Sequence, residues 1–258
     1  MFTLLIVGCG VLGLVIGSFL NVVIYRVPLH VSIVSPRSAC PSCHTPILER
    51  DNIPVVSWLL LRGKCRACST PISPRYILVE LACGGLFAGV AAREGFNWDV
   101  PALLVFVAGL LALASIDLER LILPKSIVYA TLVLVSAFLV LDAGVSDQWH
   151  RLFIAGLCAA GWFLVFFTLN FLGPRYLGFG DVRLSLVLGV ALGWLGIRYV
   201  ILGFFSANLI GAVVGVALIA LKKMSRDQPI PFGVFLSLGA ALAIYAGPEL
   251  LIPFQRFN

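Results

Sequence analysis

The sequence predicts an all-α polytopic membrane protein of about eight transmembrane helices, with one long polar loop between the first helix and the second. Three observations predict it. Hydrophobic residues make up 60% of the 258 positions and charged residues only 12%, where ordinary soluble domains carry roughly 25% charged. The mean hydropathy is +1.06. Apolar runs recur along the chain without period-two alternation, and lipid demands that backbone hydrogen bonds close within each segment, so the runs are helices. The net charge of +6 calls for no nucleic acid, because membrane proteins gather Lys and Arg in cytoplasmic loops. The expected surroundings are a lipid bilayer.

The runs fall at about 3–25, 76–92, 100–116, 126–142, 152–172, 182–197, 199–221 and 232–252. A bilayer core takes about 20 helical residues. The run 182–197 is short and reads as one arm of a helical hairpin with 199–221, turned at Trp194–Tyr199. The N-terminal run has no cation before it, and its first is Arg26, so it reads as a retained span and not as a signal peptide. Glycine pairs four apart, Gly13 with Gly17, Gly85 with Gly89 and Gly211 with Gly215, are candidate helix-contact points. No internal repeat stands out.

Charge then sets orientation. With both termini outside and eight spans, 14 of the 18 Lys and Arg fall in inner loops. The outer segments keep four, namely Arg93, Arg151, Arg198 and Arg256. This bias is the positive-inside pattern. It divides the chain into a first transmembrane helix at 1–25, a cytoplasmic loop at 26–75 and a helical core at 76–258.

The cytoplasmic loop holds Cys40-x-x-Cys43 and Cys65-x-x-Cys68. Two such pairs suit a tetrahedral four-thiolate zinc site, each tight turn supplying two sulfurs. Disulfides rarely persist in the cytoplasm. The stretch is therefore read as a zinc-knuckle loop, with Zn2+ in a structural role. Cys40 to His44 also reads as a c-type haem attachment motif, but the second pair has no following His and covalent haem belongs across the membrane. Cys9, Cys83 and Cys158 lie within spans and read as core residues. His30 and His150 read as surface groups. The knuckle either holds the loop together or also holds a substrate. The apolar stretch 52–61 either lies on the membrane or docks against the spans.

Two aspartates mark the same membrane depth. Asp117 closes the third span in "LLALASIDLERLILP", and Asp181 opens the sixth in "GFGDVRLSLVLG". The charge count puts both at the cytoplasmic edge. Each could be a helix cap or a solvated end. Gly178 and Gly180 beside Asp181, and the apolar Leu121 to Leu123 after Asp117, favour a different use. Two carboxyls held at an apolar rim cannot both ionise easily, so one carries a proton while the other acts as a base. The base takes a proton from water, the water attacks a peptide carbonyl, and the protonated partner polarises that carbonyl. Glu80, just inside the second span, is a third acid at the membrane edge.

The segments "GSFLNVVIYRVP", "NIPVVSWLLLRGKCRAC", "ISPRYILVE", "DLERLILP", "GFGDVRLSLVLG" and "PIPFGVFLSLGA" together resemble the bacterial type IV prepilin peptidases. The resemblance runs through most of the chain in order. It implies an inner-membrane aspartyl endopeptidase that removes leaders from prepilins or type II secretion pseudopilins. Cleavage would be cytoplasmic, after Gly, with N-methylation of the new terminus by S-adenosylmethionine. On this resemblance the catalytic pair is Asp117 and Asp181, and the metal cysteines are Cys40, Cys43, Cys65 and Cys68. Lys125 and Arg183 stand where the family commonly has other residues, which touches substrate preference more than catalysis.

Overall fold

The structure, a computed structural model, describes residues 1–173, 177–223, 225 and 228–255. Its ordered elements among those residues are helices, joined by short turns, with two isolated β-bridges in the long polar loop. In chain order they are α1 Phe2–Arg26, α2 Val56–Leu60, α3 Arg75–Glu94, α4 Val100–Arg120, α5 Lys125–Ser146, α6 Trp149–Leu172, α7 Phe179–Leu195, α8 Ile197–Ala220 and α9 Phe232–Gln255.

Seven of these helices are long and apolar enough to cross a membrane. The exceptions are α2, a single short helix of the polar loop, and α7, which has 17 residues. The sixth expected span, at 182–197, is therefore a helix, but a short one. The hairpin is present: α7 ends at Leu195, Gly196 takes φ 130°, and α8 starts at Ile197. Only glycine adopts that backbone without strain. Arg175, Arg226, Asp227 and Arg256, three of which enter the charge count, lie outside the described residues.

The chain forms two compact units, Met1–Phe96 and Asn97–Asn258. In the first, α3 lies along α1. Gly13 and Gly17 permit it: a Cβ on Gly13 would stand 2.6 Å from the Cys83 carbonyl oxygen, and one on Gly17 2.8 Å from Glu80 Cα. Of the other expected pairs, Gly85 faces open space, while Gly211 and Gly215 meet only the side chains of Phe235 and Ile230.

In the second unit α7 is the central helix, packed on α5, α6, α8 and α9. Its burial is all-round, from Asp181 to Trp194, as expected of a helix apolar on every face. The closest seam is with α6, where Gly189 and Gly193 lie on Ala155, Cys158 and Ala159. A Cβ on Gly193 would stand 2.8 Å from Cys158 Cβ. Backbones that approach this closely gain dispersion contacts in a medium that offers no hydrophobic drive.

Candidate active site and metal centre

The two aspartates belong to the second unit and both are buried. Asp117 lies in the last turn of α4, whose helix ends when Leu121 adopts φ 55° and its N–H bonds the Asp117 carbonyl. Pro124 then starts α5. Asp181 lies in the first turn of α7, and its N–H donates to the Gly178 carbonyl at 3.1 Å. Carboxylates are favoured in a first turn, where N–H groups lack helical partners.

A third helix completes the arrangement. The backbone N–H groups of Gly233 and Val234, in the first turn of α9, face the Asp117 carboxylate, and the Gly178 N–H faces that of Asp181. Asp117 Oδ2 has no hydrogen-bond partner among the described residues. A Cβ on Gly233 would stand 2.9 Å from that oxygen. Leu123 wedges between the starts of α7 and α9: it meets the added Cβ of Gly180 at 3.0 Å and that of Gly233 at 2.9 Å. Asp117 is close enough for its charge to act on Asp181. Two helix N-termini and one helix C-terminus thus bring two carboxyls together beside backbone donors, with Leu123 as an apolar floor. Arg183 lies over the Phe179 ring at 4.7 Å, and Lys125 is exposed.

Sequence reasoning missed Gly233. Its signal was the "PIPFG" stretch, where Pro231 precedes a helix start and a glycine follows at its second residue.

In the first unit, Sγ atoms of Cys40, Cys43, Cys65 and Cys68 all lie within 4.8 Å of one another. Cys40 and Cys68 are 3.8 Å apart, and Cys43 and Cys65 4.0 Å. Sulfurs at about 2.3 Å from a tetrahedral metal are separated by about 3.8 Å, so the set fits a four-sulfur metal centre.

The two knuckles are one motif used twice, "CPSCHTP" at 40–46 and "CRACSTP" at 65–71, a repeat the sequence reading overlooked. In each, the first Cys N–H bonds the Thr carbonyl, at 3.0 Å and 2.9 Å, and a residue with positive φ, His44 or Ser69, closes the turn. His44 is thus a turn position, as Ser69 is in the knuckle that lacks a His. Thr45 and Thr70 bond the second cysteine of each pair. Hydrogen bonding by Thr70 pulls the Cys68 thiol down to about 6, and Thr45 lowers Cys43. These two thiols lie nearer the metal-ready thiolate, whereas desolvation and the neighbouring Cys40 and Cys68 raise the Cys65 thiol.

Around the knuckles, Arg66 makes a bidentate pair with Asp51, the shortest contact being 2.6 Å. Trp58 of α2 packs against Gly63, at φ 66°. The exposed Val56, Leu59 and Leu60 leave α2 an apolar outer side. Glu80, buried on α3, accepts the Val55 N–H at 2.7 Å.

Fold and site together define a helical membrane protein that carries two buried carboxyls at converging helix ends. The comparisons name the particular family. The model of the bacterial peptidase A24 N-terminal domain matches residues 11–93, and that of the type IV leader peptidase family matches 104–216. A prepilin leader peptidase/N-methyltransferase of Stutzerimonas stutzeri is 34% identical over 96% of this chain and 92% of its own length. Proteins of the same name from Aeromonas hydrophila and Bacillus subtilis strain 168 are 35% and 32% identical, over 92% and 93% of this chain and 89% and 94% of theirs. No solved structure matches significantly. The chain belongs to the prepilin leader peptidase family and is an integral membrane protein.

Proposed function

We propose that the protein is an inner-membrane endopeptidase that removes the leader of type IV prepilins or pseudopilins after Gly and then methylates the exposed N-terminus. Asp117 and Asp181 are its catalytic pair. The observation that carries this reading is the meeting of two buried carboxyls beside the first-turn backbone amides of α9.

One aspartate, ionised, takes a proton from water as that water attacks the scissile carbonyl. The other, protonated, donates a hydrogen bond to the carbonyl oxygen and then a proton to the leaving nitrogen. The aspartates lie on the cytoplasmic side in this reading, with both termini across the membrane, because Lys and Arg concentrate in the loops on that side. Cys40, Cys43, Cys65 and Cys68 hold a structural Zn2+, which supplies folding free energy to a loop with little core of its own. The zinc-binding loop is 26–75, and the protease core lies in the helices that follow. In the second reaction the new terminal amine takes a methyl group from S-adenosylmethionine.

Co-expression with a prepilin tests the proposal. D117N and D181N are each expected to insert normally and to cut leader removal by roughly 10²- to 10⁴-fold, the scale of general acid–base catalysis. Normal processing by either variant overturns the assignment. Mass spectrometry of mature pilin reads the second reaction as one added methyl group, and an unmethylated product removes that half of the proposal.

A further inference from the structure

Two buried polar groups of the first unit have no role in the cleavage mechanism proposed above. Glu80 is 7% exposed on a membrane-spanning helix, and Asn21 is 2% exposed on the helix facing it. Acids and amides at such positions are costly and call for a reason.

They occupy one seam. Gly17 of α1 lies against Glu80 of α3. One turn on from Gly17 comes Asn21, whose Nδ2 donates to the carbonyl of Tyr76, one turn before Glu80, at 3.0 Å. The seam ends at the loop residue Val55, which holds φ 62°. That backbone is strained for a β-branched residue, and Glu80 Oε2 accepts its N–H.

The remaining valences are all acceptors. A carboxylate offers about four lone-pair sites, and the Val55 N–H occupies one. Asn21 Oδ1 is buried and has no partner among the described residues. An unsatisfied amide oxygen beside a buried carboxyl with spare acceptor sites suits a ligand that is cationic and rich in N–H donors.

We propose that Glu80 and Asn21 bind the positively charged methionine arm of S-adenosylmethionine, Glu80 facing its cationic centre and Asn21 Oδ1 accepting an N–H. This rests on the methyl-transfer half of the function proposed above. In that transfer the neutral terminal amine forms a new N–C bond and the methyl–sulfur bond breaks. Its electron pair stays on sulfur as the neutral S-adenosylhomocysteine thioether, and the methylated ammonium gives up one proton to water. The loss of positive charge from sulfur weakens the hold of Glu80 and favours product release.

The test is direct binding to the full-length, zinc-loaded protein in lipid nanodiscs. E80Q keeps an oxygen for the Val55 N–H while replacing the other acceptor oxygen by an uncharged NH2. It is expected to weaken S-adenosylmethionine about tenfold or more, the value of a charge-assisted bond. Binding of 5′-methylthioadenosine, which lacks the charged arm, is expected to stay as in wild type, and zinc content and leader cleavage likewise. N21L is expected to weaken S-adenosylmethionine severalfold with the same selectivity. An unchanged affinity in E80Q overturns the site while methylation by the wild type stands. Equal weakening of both ligands, or loss of zinc, makes Glu80 a loop anchor and also overturns it. A wild type that neither binds S-adenosylmethionine nor methylates pilin removes the methyl-transfer reading, and the site with it.

Discussion

Gly233 and Asp117 are in contact: the space a methyl group would fill on Gly233 ends 2.9 Å from Asp117 Oδ2. Alanine there must push the carboxyl away or shift the start of α9. Either movement separates Asp117 from the α9 amides that face it. G233A is expected to fold, to keep zinc, and to lose leader cleavage by about 10²-fold, the scale of an ångström-sized misplacement. Cleavage assays on purified enzyme check this. Wild-type rates would mean that the contact does not position the acid.

In the proposed zinc site the four cysteines act as one unit, since removing one leaves an incomplete tetrahedron. C40S and C65S are each expected to lose bound zinc completely by elemental analysis and to open the loop to proteases between α1 and α3. The membrane helices are expected to keep their helical circular dichroism.

Asp51 contributes an acid step to the loop's pH dependence. The Arg66 guanidinium beside it holds its carboxyl below the usual carboxylate range. A depressed acid contributes order fully above its unfolded value and loses it as pH falls through the folded one. The contribution of the Asp51–Arg66 pair to loop order is therefore expected to be complete above about pH 4, the ordinary range for Asp, and to be lost below it. Amide exchange around 49–57, followed in wild type and in D51N, checks the sign: the variant is expected to lack the acid step.

Packing along α7 separates glycines that look alike in sequence. G193L drives a side chain into Cys158 and Ala155, whereas G85L points into open space. The first is expected to destabilise by about 1–3 kcal/mol or more, as overpacking does, and the second to be nearly neutral. Thermal unfolding in detergent measures both.

The candidate site was legible where chemistry breaks an apolar pattern. Asp117 and Asp181 interrupt hydrophobic runs at ends that the Lys and Arg bias assigns to one side, and cysteine spacing alone groups the four sulfurs. What stayed hidden depends on which way a helix face turns. Gly85 and Gly193 each sit four residues from another glycine, yet only Gly193 meets a neighbour. All-round apolarity gives α7 no moment to orient it. Gly233 serves Asp117 from 116 positions away, so no local signal pairs them. The Val55–Glu80 bond joins a loop to a helix and likewise leaves no periodic trace. The repeated Cys-x-x-Cys-x-Thr-Pro motif could have been read, because its internal spacing is the same in both copies, and its threonines accept hydrogen bonds from the cysteines of the knuckle turns.

At 17 residues, α7 is about 26 Å long, while the hydrocarbon layer is roughly 30 Å thick. Packed on every side by its neighbours, α7 leaves it to those longer helices to meet the edges of that layer. On the catalytic assignment proposed above, Asp181 would work in the first turn of a helix that itself spans less than the layer.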